Sequence, residues 1–126
     1  MAKSKASAEA QLKAKKITLP SPAQPIANYV GAVRAGNLLF LSGHGGGPQW
    51  RGRGKVGQEV TLEQGYQSAR DTGLYLLTTI RQTLGSLDKV KRIVKVSAEN
   101  KTPTRGRGLK SALTLVVSVQ AAPAHQ

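Results

Sequence analysis

Two short apolar runs flank the dipeptide Gly36-Asn37, and their composition is typical of paired strands. Residues 30–35 and 38–41 are rich in Val, Ala, Leu and Phe. Gly-Asn readily adopts the positive φ angles that a two-residue hairpin turn needs. The pattern therefore predicts an antiparallel hairpin over residues 28–42, which ends in a small polar turn at Ser42-Gly43-His44.

The strongest helical periodicity covers residues 62–84. Thr61 and Gln64 have the spacing of a capping box, and Gly85 is placed to end the helix in a left-handed conformation. Gly73 lies in the helix interior, where it costs about 1 kcal/mol relative to Ala. We expect it to allow a close approach of helix and sheet. The following residues recur at helical spacing and predict the face packed on the core: Leu62, Tyr66, Ala69, Gly73, Leu76, Leu77, Ile80 and Leu84.

Two further segments have strand character. In residues 90–96, alternation predicts that Val90, Val94 and Val96 share one face, with Arg92 intruding, and that Lys91 and Lys95 point to the other. In residues 111–120, alternating apolar positions predict either an added strand or an exposed, aggregation-prone segment. Hairpin, helix and strand in this order indicate an α+β fold with helices on one face of a sheet.

The remaining segments set the domain boundaries. Residues 1–16 are polar and rich in Ala and Lys, which predicts a short frayed helix or a disordered arm. Residues 17–26 contain three prolines and must be extended. The expected organisation is a basic arm with a Pro-rich lead-in over residues 1–27, a core over 28–96, and a divergent tail over 97–126.

Composition narrows the function classes. A chain of 126 residues makes one domain, and without cysteine it has no disulfide and no thiolate nucleophile. Its apolar runs are far short of the roughly 20 residues of a membrane span, and no apolar segment follows the basic N-terminus, so we expect a cytoplasmic protein without membrane contact.

The positive net charge of the chain could indicate that it binds nucleic acid. The chain has 19 Lys and Arg against 6 Asp and Glu, a formal net charge of +13. Clustered cations favour polyanions, but many of these lie toward the two ends and the five aromatic residues are not interleaved with them. Solvated ends are therefore the preferred interpretation, and nucleic-acid binding is the less favoured one.

A glycine-rich loop follows the hairpin at residues 45–54. It contains two arginines, but it lacks the phosphate-binding pattern of nucleotide-binding loops, so a flexible surface loop is favoured over an anion site. Trp50 could lie across the mouth of a pocket, although packing against the sheet edge is the simpler interpretation.

Three sequence patterns, one of them in the hairpin, are similar to those of a known protein family. The pattern Y-x-x-A-V-x-x-G-N-x-x-x-x-S-G over residues 29–43, the Thr61-x-x-Gln64 pair and the segment Leu84-Gly85-Ser86-Leu87-Asp88 resemble the RidA/YjgF family of reactive intermediate deaminases, also known as endoribonuclease L-PSP-like proteins. The resemblance covers residues 17–96. It implies a chorismate mutase-like mixed sheet with helices on one face, which would be incomplete at its C-terminal end because residues 97–126 diverge.

The same resemblance implies a function and a site. Family members hydrolyse enamines and imines from amino-acid metabolism without a cofactor or metal, as homotrimers with sites between subunits. The substrate-binding positions would be Tyr29, Ser42, Gly43 and His44, the last standing where the family commonly has glutamine. The family arginine that binds the substrate carboxylate is replaced by Lys110, with Arg105 and Arg107 as alternatives, and the late family glutamate has no counterpart after Glu99.

Other interpretations remain open at the sequence level. Tyr29 could be an ordinary half-buried strand residue, and Arg105 and Arg107 could be solvated charges. Ser42 is not a hydrolase nucleophile, because the G-x-S-x-G pattern is absent. The functional alternatives to a deaminase are a ribonuclease or RNA-binding protein and a catalytically inactive, truncated family member.

Overall fold

The computed structural model describes residues 6–22, 30–50, 57–99 and 114–123. Two α-helices and four β-strands are found there, together with short 3-10 turns at Pro48–Trp50 and Leu87–Lys89. In chain order the elements are α1 (Ala8–Ala14), β1 (Ala32–Ala35), β2 (Leu38–Leu41), α2 (Leu62–Leu84), β3 (Val90–Glu99) and β4 (Thr114–Ala121).

The predicted hairpin is confirmed within its described residues, 30–42. β1 pairs antiparallel with β2, with Ala35 opposite Leu38. Gly36 has φ of 60°, the left-handed conformation for which the turn requires glycine. Leu39 and Leu41 point to the buried side of the sheet, whereas Leu38 and Phe40 are exposed on its other face.

The sheet has the order β1-β2-β4-β3, so the last strand lies between two earlier ones. All three described pairings are antiparallel, in place of the mixed sheet expected from the sequence. The strands β2 and β3, which α2 connects, run in the same direction but are not neighbours in the sheet. β4 lies between them and runs in the opposite direction, so both of its pairings are antiparallel. Of the two outcomes expected for residues 111–120, the added strand is observed for residues 114–120, and residues 111–113 lie outside the described part of the chain.

Helix α2 begins and ends as predicted. Thr61 and Gln64 form both hydrogen bonds of the capping box, and Gly85 ends the helix with φ of 89°. Its C-terminal half packs on the sheet, and the core cluster joins both layers. The buried members of that cluster are Leu39, Leu41, Leu76, Ile80, Leu84, Leu87, Val117, Val119 and Ala121.

The predicted helix face is wrong in its N-terminal half. Leu62 and Tyr66 are 81% and 69% exposed, and apart from its chain neighbours and the adjacent backbone of α2 no described atom lies within 4 Å of the Cβ that an alanine at position 73 would carry. Gly73 therefore does not allow a close approach to the sheet. The buried residues there are Ser68 and Thr72, because the segment after β2 packs on that flank of the helix.

The face assignment predicted for β3 is correct for Val90, Val96 and Lys95 but wrong for Arg92, which lies on the face opposite to the two valines. Register shifts between Val90 and Arg92 and between Ile93 and Lys95 each insert one extra residue into β3. Each bulge reverses the alternation of side chains. As a result Val90 and Val96 lie on the core side together with Ile93, opposite Ala121, Val117 and Val119, whereas Arg92 and Lys95 lie on the other face.

The N-terminal helix α1 is docked rather than frayed. Glu9 forms two hydrogen bonds with Arg81, at 2.6 and 3.0 Å, and accepts a third from the Leu87 backbone at 3.0 Å. The Arg81 hydrogen bonds and the Leu87 N–H lower the pKa of the Glu9 carboxyl. Asp88 completes the contact by accepting from the Glu9 backbone at 2.9 Å.

Candidate functional site

The Ser42-Gly43-His44 turn lies where β2 ends. The backbone N–H and the hydroxyl of Ser42 both donate to the Gly31 carbonyl, at 3.0 and 3.2 Å. Gly31 directly precedes β1, so these bonds hold the two ends of the hairpin together. Gly43 is exposed, and Ser42 and His44 are half-buried.

His44 connects this turn to the last strand. Its backbone exchanges two hydrogen bonds of 3.0 Å with Leu115 at the start of β4. In its ring, Nδ1 lies 2.7 Å from the Ser42 carbonyl and Nε2 lies 2.8 Å from the Thr79 hydroxyl of α2. The turn, β4 and α2 therefore meet at one imidazole.

The partners of the ring define its neutral tautomer. A carbonyl oxygen only accepts, so Nδ1 carries the proton and Nε2 accepts from the Thr79 hydroxyl. Burial lowers the pKa of His44, and the hydrogen bond to Ser42 opposes that shift only in part. A neutral ring with both nitrogens engaged holds the turn in place and is not a free base.

The stability of the folded chain should consequently decrease in mild acid. Because the pKa of His44 is lower in the folded chain than its usual 6.5, the unfolded chain binds a proton more readily. The contribution of the neutral His44 ring to the free energy of unfolding is complete above pH 6.5, and it is lost as the pH falls through the pKa that His44 has in the folded chain. Urea denaturation of wild type and His44→Gln between pH 7.5 and 5.5 measures this, and the variant should show the smaller decrease. Equal pH dependence of the two proteins would contradict the assignment.

The glycine-rich segment after the turn is packed on α2 as far as it is described. A Cβ on Gly46 would lie 2.9 Å from the Ser68 carbonyl, and Gly47 has φ of 96° beside Tyr75. Trp50 donates its indole N–H to Asp71 at 2.8 Å. Trp50 is therefore anchored on α2 through its indole N–H. Residues 51–54 of the predicted loop lie outside the described residues.

Sequence reasoning missed the polar flank of α2 beneath this segment. Ser68 is 1% exposed and its hydroxyl has no hydrogen-bond partner within the described part of the chain. Thr72 is fully buried and donates to the Ser68 carbonyl at 2.7 Å. Ser68, Thr72 and Thr79 recur at helical spacing, which indicates one flank of α2 in the sequence. Because the helix face was predicted from apolar residues alone, this polar flank was not found.

The structure brings together only part of the predicted site. Ser42, Gly43 and His44 form the turn described above. Tyr29 and the three candidate cations, Lys110, Arg105 and Arg107, lie outside the described residues. Their roles stay predictions.

Within residues 6–22, 30–50, 57–99 and 114–123, no three side chains of His, Cys, Asp or Glu are grouped so that they could hold a metal ion. None of the helices in this part of the chain has the length and apolar character needed to cross a membrane.

The sequence was also compared with known proteins. No family model matches it. Protein TCP17 of Trypanosoma cruzi is 36% identical over 83 residues, which are 64% of this chain and 52% of that protein. The match therefore spans about half the length of this relative.

Solved structures show the same fold. A "putative endoribonuclease" from Shewanella oneidensis MR-1 matches with a TM-score of 0.79 and 18% identity, over 91% of this chain and 99% of that chain. Atu1372 from Agrobacterium tumefaciens, described as of unknown function, matches with a TM-score of 0.71 and 20% identity, over 88% and 90% of the two chains. The α+β, RidA-like fold predicted from the sequence is confirmed.

Proposed function

We propose that this chain, whose fold is RidA-like, hydrolyses reactive enamines and imines of the 2-aminoacrylate type. The proposal rests on the Ser42-Gly43-His44 turn, which hydrogen bonds to Gly31 and Leu115 hold at the end of the sheet. These are residues that the family pattern assigns to substrate binding, and they are brought together in a fold of the family's type.

Chain connectivity limits how far the other candidates can lie from this turn. Tyr29 is two residues from Gly31, a distance of at most about 7 Å along an extended chain. Lys110 is five residues from Leu115, which pairs with His44, so it lies within about 17 Å of that pairing. The corresponding limits are about 28 Å for Arg107 and about 35 Å for Arg105. Lys110 is therefore our preferred carboxylate-binding cation.

The chemistry needs few groups from the protein. After 2-aminoacrylate tautomerises to its imine, water adds to the imine carbon, and the C–N bond breaks once the nitrogen is protonated. The products are pyruvate and ammonia. A cation would bind the substrate carboxylate, Ser42 and the Gly43 backbone would border the reacting carbon, and His44 would position the turn.

The activity can be tested with substrate produced in place. A pyridoxal phosphate-dependent dehydratase releases 2-aminoacrylate from serine, and the added chain should accelerate pyruvate formation above the spontaneous rate. A rate unchanged at all protein concentrations would contradict the proposal.

The exposed face of the sheet supports a homotrimer. Val33, Leu38, Phe40 and Val116 are 55%, 40%, 46% and 36% exposed, and all four lie on the face that α2 does not cover. A contiguous exposed apolar patch marks an interaction surface. We assign this patch, the open face, to contacts between subunits, with the Ser42-Gly43-His44 turn near the subunit boundary.

Replacing one residue of the open face should dissociate the assembly. Phe40→Glu places a charge where an apolar contact forms, and burying it without a partner costs several kcal/mol. We expect analytical ultracentrifugation to show a trimer for wild type, a monomer for Phe40→Glu, and a trimer for the control Gln82→Glu, which alters an exposed position on α2. A monomeric wild type, or a trimeric Phe40→Glu, would contradict this assignment.

A ribonuclease or RNA-binding function is the second candidate. It is supported by the net charge of +13, by Arg92 and Lys95 beside the apolar residues of the open face, and by the name of the Shewanella neighbour. RNA cleavage or salt-sensitive RNA binding without 2-aminoacrylate hydrolysis would favour this function.

A further inference from the structure

The side chain of Thr79 contacts two parts of the candidate site at once. Its hydroxyl lies 2.8 Å from Nε2 of His44. Its methyl group lies beside Gly31, where an added Cβ would be only 3.2 Å away. The carbonyl of Gly31 in turn accepts both hydrogen bonds that Ser42 donates. Because χ1 of threonine is restricted by the two heavy atoms on its Cβ, the contact of the methyl group with Gly31 also fixes the direction of the hydroxyl.

The hydroxyl of Thr79 stabilises one tautomer of the His44 ring. Nε2 accepts from this hydroxyl, so the ring proton is on Nδ1, which donates to the Ser42 carbonyl at 2.7 Å. Without the hydroxyl, Nε2 of the half-buried ring would lose its hydrogen-bond donor, and a buried acceptor without a donor is costly. The tautomer that binds Ser42 therefore depends on Thr79.

The Ser42 carbonyl belongs to the same peptide unit as the Gly43 N–H. This peptide bond is trans, and in a planar trans peptide the C=O and N–H bonds point in opposite directions. Because the His44 ring holds the carbonyl, it also directs the Gly43 N–H away from the ring. Within the described residues no acceptor binds this N–H, and Gly43 is exposed. The Gly43 N–H is thus an oriented donor that a ligand can reach.

We propose that Thr79 is a positioning residue of the candidate site. Through the His44 ring it fixes the peptide unit of Ser42 and Gly43, and thereby the direction in which the Gly43 N–H meets the substrate. Its importance for catalysis rests on the proposed deaminase function, in which the Gly43 backbone borders the reacting carbon. Hydrogen bonds that follow one another in a chain also polarise each other, so the Thr79 hydroxyl makes the Gly43 N–H a stronger donor.

Nitrogen NMR spectroscopy of the isotope-labelled full chain tests this inference without an activity assay. Protonated and unprotonated ring nitrogens have well-separated chemical shifts, and a His125→Gln sample identifies the signals of the second histidine. We expect His44 to have a protonated Nδ1 and an unprotonated Nε2. Thr79→Val keeps the shape of the side chain but lacks the hydroxyl, so it should populate the other tautomer and shift the Gly43 amide resonance. Thr79→Ser should retain the wild-type pattern. Identical ring-nitrogen shifts in wild type and Thr79→Val would overturn the inference.

The consequence for catalysis is measured in the coupled pyruvate assay. Thr79→Val should lower kcat/KM for 2-aminoacrylate on the order of tenfold, because a displaced donor no longer meets the substrate in the reactive geometry. Thr79→Ser should recover most of this loss. Thr83→Val is the matched control, since the exposed Thr83 hydroxyl donates to the Thr79 backbone carbonyl at 2.8 Å, away from the turn; it should change neither the spectrum nor the rate.

The outcomes separate this inference from the proposed function. Undiminished activity in Thr79→Val, or an equal loss in Thr83→Val, would overturn the positioning role. If wild type does not accelerate pyruvate formation, the deaminase function is contradicted, and the ring tautomer alone then decides whether Thr79 directs the Gly43 N–H. Thermal melts confirm folding of each variant, and Thr79→Ala, which also lacks the hydroxyl, takes the place of Thr79→Val if valine prevents folding.

Discussion

A chain that ends before β4 is expected not to fold. β4 pairs on one side with β2 and on the other with β3, so its removal separates the sheet into two parts. It also removes Val117, Val119 and Ala121 from the core. The loss exceeds the 5–15 kcal/mol by which domains of this kind are stable. We expect a chain of residues 1–113 to give no cooperative thermal transition, whereas removal of residues 124–126 should leave the transition unchanged.

Single substitutions in β4 separate this effect from a simple shortening of the chain. Val119 is fully buried and Val116 is 36% exposed on the open face of the same strand. Val119→Ala should lower the free energy of unfolding by about 2 kcal/mol, and Val119→Asp should lower it by more than about 4 kcal/mol because the charge would be buried without a partner. Val116→Ala should have little effect on the unfolding of the monomer. A cooperative, undiminished transition in the truncated chain or in Val119→Asp would show that β4 is dispensable.

The elements that the sequence predicts correctly are those whose signals are local. The Gly36-Asn37 turn, the Thr61–Gln64 capping box and the left-handed Gly85 each depend on a few neighbouring residues, and all three are present in the structure. The family resemblance supplied the fold, because its motifs lie in the same local elements.

What the sequence could not place depends on tertiary contacts. β4 lies between β2 and β3, and its pairing with β2 joins residues about 80 apart in the chain. No local sequence pattern encodes that pairing. The two bulges of β3 arise in its pairing with β4, and they change which side chains of β3 lie on the core side. The sequence of β3 alone does not show where these bulges fall. For the same reason Ser68 and Thr72 are buried while Leu62 is exposed: the segment after β2, not the sheet alone, determines which flank of α2 is covered.

The candidate site could likewise be predicted only where its residues are close together in the sequence. Ser42, Gly43 and His44 are consecutive, so their grouping follows from the sequence. The ring of His44 lies within hydrogen-bond distance of the Ser42 carbonyl and the Thr79 hydroxyl. Thr79 itself is 35 residues away and was not foreseen. The choice among Lys110, Arg105 and Arg107 depends on residues outside the described part of the chain, so it has to be made by experiment.

Substitution of Lys110 should produce the largest loss of deaminase activity. A hydrogen bond to a charged group contributes about 1.5–3 kcal/mol, so removing the cation that binds the substrate carboxylate should lower kcat/KM for 2-aminoacrylate by roughly one to two powers of ten. Lys110→Arg should retain or exceed wild-type activity, because a guanidinium binds a carboxylate through two parallel hydrogen bonds. Arg105→Ala and Arg107→Ala are the matched controls, and each should leave most of the activity.

The pattern across these variants distinguishes the possible site assignments. Loss of activity in Arg105→Ala or Arg107→Ala, with Lys110→Ala active, would transfer the carboxylate-binding role to that arginine and contradict the choice made from chain connectivity. Robust activity in all three alanine variants would mean that another group holds the carboxylate. Because each variant changes one charge outside the described core, circular dichroism and ultracentrifugation should match wild type, so that a fall in kcat/KM reports on the site and not on folding or assembly.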